Sequence, residues 1–158
     1  MNIEHGGKIH LNIFWRIRQF EMENRYSHFP GYGAETLEIY LRDLEERSQF
    51  VTVYDSIFNE PIAFAAWWYL PTLEICREKS WRKPYPRNLD NGDYAYVDWC
   101  WSSPNYKSFN LVRRMLMECY LAHPEKHICF HRYARRNEQK FYHRRPLLWK
   151  RSEKLIAA

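Results

Sequence analysis

Tyr94-Ala95-Tyr96-Val97-Asp98-Trp99-Cys100-Trp101 is the stretch from which the fold of this chain is read. Aromatic and β-branched residues favour extended backbone, so it predicts a strand. Ser102-Ser103-Pro104-Asn105 ends that strand with turn residues. From about Lys107 to Ala122, Leu111, Met115 and Cys119 recur four residues apart, the spacing of one helix face. Lys126 to Tyr133 then returns to strand composition, and Lys140 to Trp149 reads as a further strand. A strand, a helix and a strand in succession predict a β-α-β crossover.

Upstream, Ile62-Ala63-Phe64-Ala65-Ala66-Trp67-Trp68 is a second apolar run, preceded by a strand over Gln49–Tyr54 and a turn over Asp55–Pro61. The two runs predict an antiparallel hairpin. Ala34 to Arg47 carries Leu37, Tyr40, Leu41 and Leu44, the stripe of a helix with one buried face. Leu11, Phe14 and Ile17 predict an earlier amphipathic helix over Lys8–Tyr26. Ser27-His28-Phe29-Pro30-Gly31-Tyr32-Gly33 is a loop between the two helices. A short helix fits around Leu73–Lys79, and Pro84, Pro86, Asn88, Asp90, Asn91 and Gly92 mark a loop. The expected architecture is a single α/β domain over residues 1–158, with a mixed central sheet, N-terminal helices and a late β-α-β crossover.

Composition narrows the function classes. The chain has 158 residues, 46% of them apolar, with seven Trp and twelve Tyr, which suffices for one core. Net charge is +5, so acidic partners are favoured: nucleic acid, anionic membrane or an acidic protein. From Arg132 to Lys154 the basic residues, Arg135, Arg136, Arg144 and Arg145 among them, face only Glu138 and Glu153. Tyr133, Phe141, Tyr142 and Trp149 lie in the same region and would suit base stacking. The four cysteines, Cys76, Cys100, Cys119 and Cys129, have no metal-ligand spacing, so a zinc knuckle is not expected and a reduced, cytoplasmic setting is. No apolar run approaches the ~18 residues of a membrane span, and the first residues do not read as a signal peptide.

In element order the chain resembles the GNAT acyltransferase fold. Classical members hold the coenzyme A pyrophosphate on a glycine-bearing loop before the helix that follows the central strand, at the helix N-terminus. Ser102 to Asn110 occupies that place here and contains no Gly. One GNAT-like family does without the loop. Asn59-Glu60-Pro61-Ile62-Ala63-Phe64-Ala65-Ala66-Trp67, Tyr96-Val97-Asp98-Trp99 with Pro104 after it, and Ser27-His28-Phe29-Pro30 resemble blocks of the toxin-activating lysine acyltransferases. The likeness covers roughly residues 10 to 125.

That resemblance implies transfer of a fatty acyl group from acyl carrier protein to the ε-amine of a lysine on a protein substrate. Acyl-coenzyme A is the alternative donor, and a non-catalytic module binding nucleic acid or protein is the alternative role. The family's functional His and Asp fall on His28 and Asp98. A lysine amine has a pKa near ~10.4 and must lose a proton before it attacks a thioester. A histidine suits that transfer, and a carboxylate on its other nitrogen would orient it. Alternation puts Tyr96, Asp98 and Cys100 on one strand face and Val97, Trp99 and Trp101 on the other. An Asp in so apolar a run needs a partner or a cleft. Trp67, Trp68, Tyr69, Trp99 and Trp101 are candidates to line an acyl groove or are plain core aromatics, with Ser102, Ser103 or Asn105 as oxyanion donors or helix caps. Cys100 is either a nucleophile or a small core residue. The carrier protein would dock on Arg135, Arg136, Arg144 and Arg145. No metal and no tightly bound cofactor are expected, and a homodimer is compatible with the sequence.

Overall fold

The computed structural model describes residues 1–9, 34–78, 92–103, 105–106, 110–133 and 139–147. The elements are β1 (Asn2–His5), α1 (Ala34–Arg47), β2 (Phe50–Tyr54), β3 (Pro61–Leu70), α2 (Leu73–Glu78), β4 (Tyr94–Ser102), α3 (Leu111–Ala122), β5 (His127–Tyr133) and β6 (Gln139–Arg144). Among the described residues the strands form one six-stranded sheet in sequence order. β1–β2, β2–β3 and β5–β6 are antiparallel, whereas β4–β5 is parallel. The fold class is therefore α/β with a mixed sheet. The first helix expected from the sequence falls, from His10 onward, outside the described residues, and Lys8 and Ile9 belong to no element.

The chain groups into two compact units. One comprises Met1–Ala66 with Trp99–Met115, the other Trp67–Asp98 with Leu116–Ala158.

In the first unit, α1 buries Tyr40 and Leu44, four residues apart. Its exposed side carries an Arg42–Glu38 ion pair at 3.1 Å. The helix ends where Ser48 takes φ 52°. Ser48 N–H then donates to Glu45 O (3.1 Å) and Gln49 N–H to Leu44 O (3.2 Å). This pair of bonds is a Schellman cap, here with serine in the left-handed position that glycine usually fills. Every residue of β2 is buried, and Phe50 meets Phe64 of β3 at 5.6 Å between ring centroids. Burial on both faces explains why these strands read as continuous apolar runs rather than alternating ones.

The β2–β3 turn is tied to Asp55. Its carboxylate accepts from Ile57 N–H (2.7 Å), Phe58 N–H (3.1 Å) and Tyr106 O–H (2.8 Å). Those donors hold the carboxyl below the usual carboxylate range. β1 is too short and too exposed to announce itself in the sequence. It exists because Gly6 (φ 68°) and Gly7 (φ 89°) let the chain turn off the edge of β2, where Gly6 N–H donates to Phe50 O at 2.9 Å.

In the second unit, Trp67, Trp68, Leu70, Cys76, Ala95, Tyr96, Cys119, Tyr120, Ile128 and Cys129 form the core. Thr72 caps α2 through its hydroxyl, which accepts from Ile75 N–H at 3.3 Å. α2 is buried through Cys76. Gly92 lies against the backbone of Leu70 and Pro71, so closely that a Cβ there would stand 1.8 Å from Leu70 O. α3 buries the predicted stripe of Leu111, Met115 and Cys119, the first two in the other unit. β6 stops at Arg144 rather than reaching Trp149. Pro146 has no N–H to donate to a ladder, which ends the strand.

Candidate functional site

The parallel pair is in register from Tyr94↔His127 to Val97↔Phe130. Asp98 is the next residue of β4, half-buried, at the carboxyl end of that paired stretch. In open α/β sheets the carboxyl ends of parallel strands are where ligands are held. Alternation places Tyr94, Tyr96 and Asp98 of β4 on one face, with His127, Cys129 and His131 of β5 beside them. The β5–β6 register, Cys129↔His143 and His131↔Phe141, adds Phe141 and His143 to the same face.

Contacts run along this face. Tyr96 Oη and His131 Nδ1 are 2.8 Å apart, with Tyr96 itself buried. His131 also packs on Phe141, ring centroids 4.9 Å apart. Two tautomers satisfy the Tyr96–His131 bond. In one the tyrosine donates and Nε2 carries the ring proton; in the other Nδ1–H donates and Nε2 keeps its lone pair. The second form is the one that could accept a proton. Further along, Tyr94 stacks on His127 at 4.7 Å, and His127 Nδ1 lies 2.7 Å from His143 Nε2. Burial lowers the pKa of both histidines below 6.5. Arg145 lowers both further, and His127 and Arg77 also lower that of His143, while Asp93 acts in the opposite sense on His127.

A second cluster surrounds Tyr69. Its hydroxyl is 2.9 Å from His123 Nε2 and accepts from Trp67 Nε1–H at 3.4 Å. Lys126 Nζ lies 4.6 Å from the centre of the Tyr69 ring and donates to Gly92 O at 2.9 Å. Burial raises the phenol pKa, so Tyr69 stays protonated and ties β3 to the turn after α3.

The residues singled out by sequence fall as follows. His28, Arg135 and Arg136 lie outside the described residues. Trp67 is buried in the second unit, and Trp101 is buried in the first. Trp67 Nε1–H has its acceptor in Tyr69, whereas Trp101 Nε1 has no hydrogen-bond partner among the described residues. Trp99 is a β4 residue whose side chain is not described. Ser102, half-buried, closes β4, and Ser103 N–H is taken by Ile62 O at 2.8 Å. Arg144 and Arg145 are exposed at the end of β6.

Burial of the Cys100 thiol pushes its pKa up to about 12, although the residue as a whole keeps some exposure. A thiol so disfavoured as thiolate behaves as a core group rather than a nucleophile. The Cys129 thiol is likewise raised by its hydrogen bond with Cys76 and by burial. All four cysteines are free.

His131, His127 and His143 were not among the sequence candidates. The period-two spacing of His127, Cys129 and His131 does put them on one face. Only the parallel and antiparallel registers bring Tyr94, Tyr96 and His143 to them. The chain matches no protein-family model and is similar to no curated protein.

Proposed function

We propose that this chain is an acyltransferase of the GNAT-like kind that moves an acyl group from acyl carrier protein to the ε-amine of a protein lysine. The observation that carries this reading is the β4–α3–β5 unit. A parallel pair, joined by a helix and preceded by an antiparallel run, sets the half-buried carboxylate of Asp98 just past its last paired residue. The connection from β4 to α3 has no glycine, which favours a carrier-bound thioester over free acyl-coenzyme A as donor. In this reading Asp98 orients a histidine base, and the resemblance assigns that base to His28. Arg144, the last residue of β6, and Arg145 just after it are exposed and suit an acidic carrier, with Arg135 and Arg136 as further contacts. The work would be done in the cytoplasm, where thiols stay reduced. Among the described residues no helix is long and apolar enough to cross a membrane.

The test is thioester turnover by the purified chain, offered acyl-carrier thioester and acyl-coenzyme A separately. Carrier-selective turnover is expected. It should fall by ~10²-fold or more in His28→Ala and Asp98→Ala, the usual weight of general acid–base help, with circular dichroism unchanged. Turnover of acyl-coenzyme A alone would move the chain to the coenzyme-dependent N-acyltransferases. Full activity in both variants would sink the assignment of the pair.

A further inference from the structure

The reverse face of β5 and β6, away from the Tyr96–His131 contact, carries a different set of side chains. The register pairs Ile128 with Arg144, Phe130 with Tyr142 and Arg132 with Lys140. Side chains alternate along each strand, so Ile128 and Phe130 of β5 share this face with Lys140, Tyr142 and Arg144 of β6. On β4, Ala95 and Val97 stand opposite Ile128 and Phe130. Burial falls from the middle of the sheet towards its edge. Ala95, Val97 and Ile128 are buried, Phe130 is half-buried, and Tyr142 is 37% exposed. Lys140 and Arg144 are exposed as well.

Phe130 and Tyr142 stack almost flat, with 7° between the ring planes and 4.9 Å between the centroids. The spacing matches the ~4.8 Å between neighbouring strands, so the rings stand side by side as their strands do. One face of the Tyr142 ring is thus taken by Phe130. The other looks off the sheet, because β6 is its last strand among the described residues. A flat group can continue the stack there. Charge is disposed about that place. Lys140 and Arg144 lie two residues to either side of Tyr142, roughly 7 Å along the strand in each direction. Neither β5 nor β6 contains an acidic residue.

We propose that this face binds single-stranded nucleic acid. A base stacks on the open side of Tyr142, and Lys140 and Arg144 take the phosphates on either side of it. An aromatic ring backed by a second ring needs a flat π-face, and the flanking cations need anions; a single strand supplies both together. A duplex keeps its bases stacked on one another and offers phosphates alone except at its ends. An acidic protein offers carboxylates without a succession of flat rings. The surface is distinct from the acyl-transfer site. Asp98 shares the other face of β4 with Tyr94 and Tyr96, and Arg144 alone is common to this surface and the proposed carrier contact.

Binding to the full chain is read from the fluorescence anisotropy of a labelled oligodeoxyuridylate of about 16 nucleotides, enough to cover one single-strand site. An abasic strand and a duplex of the same length are the comparisons. The expected result is saturable binding of the oligodeoxyuridylate, about tenfold or more tighter than of the abasic strand, which keeps the phosphates and lacks the stacking. Tyr142→Ala should remove that advantage, and Tyr142→Phe, which keeps the ring, should retain it. The abasic comparison and Tyr142→Phe remain decisive if Tyr142→Ala does not fold. Lys140→Gln and Arg144→Gln should each lower the slope of log affinity against log salt by about 0.7, the share of one phosphate on a single strand. Oligouridylate set beside oligodeoxyuridylate tells which of RNA and DNA is the better ligand. Equal affinity for the abasic strand, tighter binding of the duplex, a folded Tyr142→Ala that keeps the full advantage, or a salt slope unmoved in both cation variants would overturn the proposal. No thioester enters these measurements, so failure of the acyl-transfer assay would leave them untouched.

Discussion

Trp67 and Trp101 are both buried indoles, yet they differ in one hydrogen bond. Trp67 Nε1–H donates to Tyr69 Oη at 3.4 Å, whereas Trp101 Nε1 has no hydrogen-bond partner among the described residues. Phenylalanine at either place removes a similar volume, and the polar consequence separates them. At Trp67 it breaks a bond and leaves Tyr69 with one contact fewer. At Trp101 it deletes a buried donor that has no partner among the described residues, and an unpaired donor costs free energy. Trp67→Phe should therefore be more destabilising than Trp101→Phe by about 1 kcal/mol, as read from urea denaturation of the two variants. Equal losses would mean that Trp101 Nε1 is satisfied in solution.

At the scale of elements, the junction between β3 and β4 depends on Gly92. Its φ is not the left-handed kind that favours glycine; what demands glycine is space. A methyl group there would stand 1.8 Å from Leu70 O and 2.5 Å from Pro71 N. Backbone atoms cannot swing aside as a long side chain does, so the start of β4 would have to shift. Lys126 Nζ donates to Gly92 O and His127 N–H to Asp93 O, both at 2.9 Å, so that shift would disturb the approach to β5 as well. Gly92→Ala should cost at least ~3 kcal/mol, at or beyond the upper end for overpacking. A thermal midpoint close to that of the unmodified chain would show that the junction is looser than drawn.

For the whole molecule, the histidine pair sets an acid limit. His127 and His143 both have pKa values depressed below 6.5 by burial and by neighbouring positive groups. The unfolded chain therefore binds protons more readily than the folded one as pH falls past that value. Their contribution to stability is complete above about 6.5, declines as pH drops below it, and is lost once pH passes the folded values. The denaturation midpoint should fall over that window. His143→Gln should flatten the fall, since one member of the pair no longer titrates. An acid profile identical in the two proteins would show that the pair is already unfolding-neutral.

Much of the fold was legible because local pattern and tertiary environment agree. The periodic stripe of α1, the buried runs of β2 and β3, the β4 stretch around Asp98 and the four-residue spacing of α3 all mark elements that the structure contains. β1 was not legible: its four residues show no burial period, and it is a strand only because the edge of β2 offers hydrogen-bonding groups. Nor was the length of β6, where composition continued but Pro146 ended the ladder. Asp98 could be picked from the sequence because a carboxylate stands out in an apolar run. The sites around His131 and His127 could not, since each histidine is unremarked in its own segment. Sequence by itself determined which segments are helix and strand, since that follows from periodicity and backbone preference within a few residues. Only the tertiary structure decided which side chains meet. That depends on strand direction and register, which hydrogen bonds between distant segments fix and which no local pattern encodes.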